Sequence, residues 1–265
     1  MSLSRTRSFA TLRRAIGLLR DFRWEQSRPD IFYGNLATDT AELIQSLLTD
    51  LSPPSDPHSG PHEKESALEG QLILDVGGGP GYFADAFHQR GATYLSVEPD
   101  VGEMSAAGID VSGSVRGSGL DLPFHSNSFD VVYSSNVAEH VPEPWQMGAE
   151  MLRVARPGGI VILSYTIWLG PFGGHETGLW EHYVGGHFAR RRYEKKHGHP
   201  PKNVYGQSLF NVSCSSGLKW GRGAAEATLL AAFPRYHPSW AWWMVKVPVL
   251  REFLVSNLVL VLRKH

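Results

Sequence analysis

The stretch "DVGGGPGYF", residues 75–83, places a carboxylate at the end of an apolar run and four glycines directly after it. Asp75 is followed by Gly77, Gly78, Gly79 and Gly81, with Tyr82 and Phe83 completing the loop. Glycine adopts left-handed backbone without steric penalty and lets a ligand approach the main chain closely. Where such a loop leads into a helix, unpaired N–H groups of the first turn face a phosphate or a carboxylate. Pro80 suits that first turn, where its missing N–H costs little. The spacing departs from the dinucleotide pattern G-x-G-x-x-G, because Tyr82 stands at the third glycine position. A turn that needs glycines for its own sake is the competing reading.

Two acids narrow the ligand. A carboxylate at Asp75 repels a pyrophosphate but pairs with an ammonium group. Glu98 closes the next apolar run, 23 residues after Asp75, where an acidic side chain can accept both ribose hydroxyls. Ammonium, carboxylate and ribose together describe an amino acid joined to a nucleoside, and S-adenosylmethionine fits that description.

These residues need a scaffold. From Gln71 onward strand-like and helix-like segments alternate: "QLILDV", a helix over 80–90, "TYLSVE", a short helix over 100–107, a weak strand at 114–118, "FDVVYSS", the helix "PWQMGAEMLRVA", and "PGGIVILSYTIW" entered through a tight Pro-Gly-Gly turn. "SCSSGLKWGRGA" reads as a further helix, and "ATLLAAF" and "SNLVLVLRK" as strands. This rhythm predicts an α/β fold, Rossmann-like and doubly wound, with a seven-stranded mostly parallel sheet. An insertion over about 169–210 follows the strand near 160–167. The expected organisation is an N-terminal helical extension over 1–50, a Pro- and Ser-rich flexible linker over 51–69, and the main domain over 70–265.

Within the extension, Phe9, Leu12, Ile16, Leu19 and Phe22 recur at steps of three and four among seven arginines between Ser4 and Arg28. That predicts one basic amphipathic helix. Its apolar stripe either packs on the domain, the commoner arrangement and the expectation here, or meets an anionic membrane surface. A second helix is expected over 39–50. The formal net charge of −1 gives no global case for a nucleic-acid partner. Cys214, the only cysteine, excludes an intrachain disulfide and fits a reducing compartment. No run of 18 apolar residues and no secretory pattern is visible, so a cytoplasmic location is expected, with membrane association at the inner face as an addition.

"LILDVGGGPGYFADAF", "LSVEPD", "LPFHSNSFDVVYSSNVAEHV" and "EMLRVARPGGIVILSY" resemble the successive motifs of class I S-adenosylmethionine-dependent methyltransferases of the type 11 kind, over about Leu72 to Tyr165. "SYTIWLGPFGGHE" and "AFPRYHPSWAWW" extend the resemblance to methyltransferases of mycobacteria and related actinobacteria. The resemblance implies that Asp75, Gly77, Gly79 and Gly81 hold the methionine part. It implies that Glu98, with Pro99 and Asp100 beside it, holds the ribose. Ser118 and Gly119 stand where the adenine amino group is read, although many relatives have an aspartate at Ser118. Asn136 and Val137 would lie near the transferable methyl. Asp121 and Pro123 of "DLPF" are read as shaping the loop.

Methyl transfer from a sulfonium mainly needs two reactants held close and in line. A hydroxyl acceptor also needs a base. His140, after the third clear strand, is read equally as that base or as a structural histidine. The insertion holds His175, Glu176, Glu181, His182 and His187. The spacing matches no standard metal motif, so a surface loop with satisfied histidines is expected over a metal site. His175 or His182 facing the acceptor as its base also ranks above the metal, because the insertion should cover the reaction site. No metal is therefore assigned. Arg190, Arg191, Arg192, Lys195 and Lys196 read as a solvated basic face, or as a contact for a phosphate, an acidic sugar or a membrane. Trp240, Trp242 and Trp243 suit a core, a membrane interface or a ligand groove. The acceptor is expected to be a small molecule or lipid-like, with an envelope lipid or glycolipid leading, O-methylation as the chemistry, and peripheral membrane contact. A soluble metabolite or quinone-like ring is the alternative acceptor, and a non-catalytic protein that has kept the cofactor fold is the alternative class. Asn136, Val137, Ala138 and Glu139 are not the Asn-Pro-Pro-Tyr type found in nucleic-acid methylation.

Overall fold

The computed structural model describes residues 2–24, 27–52, 66–79, 81–99 and 113–265. Pro80, Asp100, the helix expected over 100–107 and most of the linker lie outside the described residues. The chain divides into two compact units, Met1–Arg116 with Tyr236–Trp240, and Gly117–Arg235 with Ala241–His265.

In the first unit β1 (Leu72–Val76), β2 (Thr93–Glu98) and β3 (Ser114–Arg116) are parallel, with Leu72 opposite Thr93 and Ser96 opposite Ser114. Ile73, Leu74, Asp75 and Val76 are all buried, the continuous run expected of a parallel strand covered on both faces. The helix after the glycine loop is shorter than the 80–90 expected: it spans Ala84–His88 (α4). Residues 81–83 belong to a turn instead, with the Ala84 N–H donating to the Gly81 carbonyl at 3.2 Å.

The N-terminal segment corrects two expectations. It forms two helices rather than one, α1 (Ser4–Phe9) and α2 (Leu12–Asp21). The break falls where Thr11 is extended and its hydroxyl caps α2 by accepting the Arg14 N–H at 3.2 Å. The apolar stripe of α2 does not pack inward. Leu12 is 54% exposed, Ile16 42% and Leu19 57%. The inward residue is Arg14, whose guanidinium meets the buried Asp39 carboxylate in a paired contact of 2.6 and 2.8 Å. Phe22 turns back onto Phe32, with ring centroids 5.5 Å apart. The third helix, α3 (Pro29–Leu51), begins ten residues before the expected 39. Proline at its first turn explains the start, and Phe32, Leu36, Leu43 and Leu47 bury one face. Near its other end Asp50 accepts the amides of Arg5 and Thr6 at 3.0 and 2.8 Å, holding the start of α1.

The second unit contains β4 (Phe129–Ser135), α5 (Pro144–Val154), β5 (Ala155–Thr166), α6 (Glu181–Val184), α7 (Gly186–His197), α8 (Cys214–Gly223), β6 (Ala227–Pro234), α9 (Leu250–Leu254) and β7 (Asn257–Lys264). β4 and β5 are parallel, and β7 is antiparallel to both β5 and β6. The register of β4 on β5 jumps from Phe129–Ala155 to Val131–Ile160, so the Pro-Gly-Gly segment is absorbed as an irregularity at the strand's entry. The strand order is β3-β2-β1-β4-β5-β7-β6, seven strands, mostly parallel. This is the fold class predicted from the sequence. Among the described residues no helix is long and apolar enough to cross a membrane.

Candidate functional site

The glycine loop is shaped by its own backbone and by the strand beside it. Gly77, Gly79 and Gly81 have φ of 84°, 56° and 86°, values that L side chains rarely adopt. Gly78 is required for a different reason. A Cβ there would lie 2.7 Å from Ser96 Cβ, 3.0 Å from the Tyr94 hydroxyl and 3.1 Å from Asp75 Oδ2. The loop therefore lies directly on a polar pair, in which Tyr94 donates its hydroxyl proton to Asp75 Oδ2 at 2.7 Å. Asp75 is only 3% exposed. Glu98, half-buried at the end of β2, accepts the Gly79 N–H at 3.3 Å. Tyr82 stacks on Tyr33 of α3 at 5.2 Å. Phe83 is half-buried and Pro99 exposed.

This arrangement suits a ligand with an ammonium, a carboxylate and a ribose. A buried carboxylate closes β1, a close-approach glycine backbone follows, and a second carboxylate stands at the end of the neighbouring strand.

In the second unit, the loop after β4 carries a hydrogen-bond chain. Asn136 has φ of 58°, and its Oδ1 accepts from Asn257 Nδ2 at 2.7 Å. Asn257 Oδ1 in turn accepts the Ser164 hydroxyl at 2.7 Å. The buried Arg235 donates to Ser135 Oγ at 3.1 Å. Arg235, Ser164 and Asn257 were not singled out from the sequence, because partners 93 to 121 residues apart cannot be paired by spacing. Val137 is half-buried and precedes a 3₁₀ turn, Ala138–His140. Ser118 is exposed, and its Oγ accepts the Leu120 N–H at 3.1 Å. Gly119 is half-buried beside it. The Asp121 N–H donates to the Ser118 carbonyl at 3.2 Å.

The 3₁₀ turn brings together residues that the sequence keeps far apart. Glu139, His140 and His175 each place one donor atom within 4.8 Å of the others. The two imidazole centroids are 5.0 Å apart, edge to face. His140 Nδ1 lies 2.7 Å from the Ser208 carbonyl, and His175 Nδ1 lies 3.2 Å from the Gly173 carbonyl. A carbonyl only accepts, so both Nδ1 atoms carry a proton, and in the neutral rings Nε2 keeps the lone pair. Glu139 is 1% exposed. Its Oε1 accepts the Thr166 N–H at 3.1 Å, and its Oε2 is buried without a hydrogen-bond partner. Burial holds the His175 imidazole below its usual range, opposed by the Glu139 carboxylate and reinforced by His140. The insertion also secures the turn's backbone, as the Phe210 N–H donates to the Glu139 carbonyl at 2.8 Å. Glu139 was not selected from the sequence, although its place beside His140 was the available signal.

The other members of the histidine-rich insertion do not converge on this group. His182 is buried in the insertion, with Nε2 3.1 Å from the Gly170 carbonyl and its ring against Trp168 and Tyr183. Burial lowers its pKa. Glu176 binds the Asn203 backbone and side chain at 2.6 and 2.9 Å. Glu181 pairs with Arg192 at 3.3 Å, and the exposed His187 sits edge-on to Tyr205. In the basic stretch, Arg190 pairs with Glu194 while Arg191, Lys195 and Lys196 face solvent. The tryptophans divide: Trp242 stacks on Phe233 in the core at 4.3 Å, whereas Trp240 and Trp243 are exposed.

Comparison with known proteins gives the family. Residues 74–163 match the family described as "Methyltransferase domain". An uncharacterized methyltransferase of Mycobacterium marinum is 58% identical over 257 residues, covering 96% of this chain and 95% of the relative. One of Mycobacterium tuberculosis is 59% identical over 257 residues, with the same coverage. A solved S-adenosylmethionine-dependent methyltransferase from Mesorhizobium loti shares the fold with a TM-score of 0.52 at 17% identity, covering 84% of this chain and 98% of that one. The chain belongs to the class I S-adenosylmethionine-dependent methyltransferases.

Proposed function

We propose that this methyltransferase O-methylates a lipid or glycolipid of the cell envelope, or a related amphiphilic small molecule, while resting on an anionic membrane surface at its cytoplasmic side. The observation that carries the acceptor class is apolar exposure on both units. On the first, Leu12, Ile16 and Leu19 face solvent among Arg13 and Arg20. On the second, Leu179, Trp180, Tyr183 and Val184 of the insertion are exposed, as are Trp243, Val249, Leu250, Phe253 and Leu254. Tyr183 and Phe253 bring these two segments together, with ring centroids 6.2 Å apart. An exposed apolar stripe flanked by arginines is the pattern of an interfacial helix. Exposed apolar surface of this extent marks a site of interaction.

S-adenosylmethionine supplies an electrophilic methyl on a sulfonium when bound. In this reading Asp75 takes the ammonium, while the backbone of Gly77, Gly78, Gly79 and Gly81 accommodates the methionine part, with Tyr82 and Phe83 walling the loop. Glu98 accepts the ribose hydroxyls, with Pro99 beside it. Ser118 and Gly119 meet the adenine, and Asn136 and Val137 line the methyl. The proton that a hydroxyl acceptor would lose on methylation would pass to the Glu139–His140–His175 group. His140 Nε2 is the first acceptor, oriented by the Ser208 carbonyl. His182, enclosed within the insertion, is left a structural role.

The test incubates the purified chain with methyl-tritiated S-adenosylmethionine and either an envelope lipid extract or a soluble metabolite extract of a mycobacterium. Label in an organic-extractable, alkali-stable product is expected, as an ether. Label confined to the soluble extract would replace the acceptor class. Failure to bind S-adenosylmethionine in calorimetry would remove the catalytic reading altogether.

A further inference from the structure

The geometry points to a divalent transition-metal site formed by Glu139, His140 and His175. Three features support it independently. First, the donor atoms lie within 4.8 Å of one another, near enough for small side-chain shifts to bring them onto one cation. Second, each histidine gives its Nδ1 proton to a backbone carbonyl, Ser208 for His140 and Gly173 for His175. This is the outer contact that orients metal-binding imidazoles and fixes the tautomer with the lone pair on Nε2. Third, Glu139 is buried to 1% exposure with Oε2 unpartnered, while Oε1 is anchored on Thr166. An unpaired buried carboxylate oxygen is costly unless a cation or a donor meets it.

The ligand set selects the ion. Two imidazoles and one carboxylate suit zinc or a neighbouring first-row divalent ion better than magnesium or calcium, which prefer oxygen. Three protein ligands leave a coordination position for an oxygen from outside. A hydroxyl bound there would ionise near neutral pH, its proton leaving to water. Loaded with metal, the histidines would act as ligands, and the proton transfer to His140 Nε2 proposed above is that of the metal-free chain. This deepens the proposed O-methylation and rests on it only for that role. Metal binding itself is read without methyl donor or acceptor.

Cobalt(II) is the probe, since its visible absorption reports ligand geometry. The chelator-treated wild-type chain, titrated with cobalt(II) and then desalted, should retain one ion per chain with a visible ligand-field band that zinc displaces. Glu139→Gln and His175→Ala should each weaken binding at least tenfold, whereas the exposed His187→Ala should not. His175 lies in a short turn of the insertion, so its variant stays informative if Glu139→Gln unfolds. Absence of retained cobalt or zinc in the wild type would overturn the site, as would equal binding in His175→Ala. In either case methyl transfer by the metal-free chain would remain open to the labelling assay. Loss of all methyl transfer with binding intact would instead remove the function and keep the site.

Discussion

Glu98 holds the amide of Gly79 on its carboxylate, 3.3 Å away, so the acid that ends β2 also ties down the glycine loop after β1. Substituting it would loosen the loop and, on the proposed reading, remove the ribose contact as well. Glu98→Ala is expected to weaken S-adenosylmethionine binding by about 1.5–3 kcal/mol, the range for charged hydrogen bonds. Titration calorimetry at constant pH measures it, and unchanged affinity would take Glu98 out of the ribose role.

Gly78 offers a sharper test of the loop. An added methyl would press on Ser96, Tyr94 and Asp75 at once. Ser96 lies in the middle of a buried strand and cannot withdraw, so the loop must shift. Gly78→Ala is expected to reduce donor affinity by roughly tenfold or more while costing about 1–3 kcal/mol of stability by overpacking. A thermal melt beside the calorimetry separates the two.

His140 is expected to act on rate rather than on donor binding. His140→Ala should lower kcat by about 100-fold, within the usual range for a positioned proton acceptor, and leave the S-adenosylmethionine Kd within about twofold. Equal rates for variant and wild type with the true acceptor would leave His140 only its bond to Ser208.

Burial holds His182 below its usual pKa. In the unfolded chain it titrates near about 6.5. Between those values the unfolded chain binds the extra proton, so stability is full above about pH 6.5 and falls as the pH drops toward the folded pKa. Urea midpoints between pH 8 and 5 should fall in the wild type and fall less steeply in His182→Gln. Parallel curves would show that other groups carry the acid sensitivity.

The membrane reading rests on α2. Leu12→Ser, Ile16→Ser and Leu19→Ser together should reduce flotation with anionic vesicles by roughly tenfold, since the apolar face supplies much of an interfacial helix's attachment. Because these side chains are exposed, the melting temperature should hardly move. Undiminished flotation would shift the attachment to the second unit's exposed aromatics.

The strands were readable because burial on both faces leaves unbroken apolar runs: "LILDV", "FDVVYSS" and "NLVLVLRK" appear as β1, β4 and β7. The glycine loop was readable because backbone geometry restricts residue type. The start of α3 was hidden, since Tyr33, Gly34 and Asn35 dilute its period. The direction of α2 was hidden for a different reason. Periodicity shows that a helix has two faces, but which one turns inward is decided by Asp39, 25 residues from Arg14. Glu139 and His175 meet because the insertion folds back, with Ser208 and Phe210 fastened to the turn they share. No spacing rule covers a gap of that kind. The histidine cluster that the sequence did suggest was scattered, because Glu176 and Glu181 find partners of their own.

The Arg14–Asp39 pair settles more than the pose of one helix. Losing either partner of a buried pair costs about 3–5 kcal/mol, so rotating α2 to hide its leucines is opposed by electrostatics. The exposed stripe is therefore locked on rather than an accident of loose packing. On the proposed reading of a membrane-bound enzyme with a lipid acceptor, that acceptor would be a two-dimensional solute. Turnover would follow the mole fraction of acceptor in the bilayer, and diluting that lipid with an inert one would slow catalysis even at fixed bulk concentration.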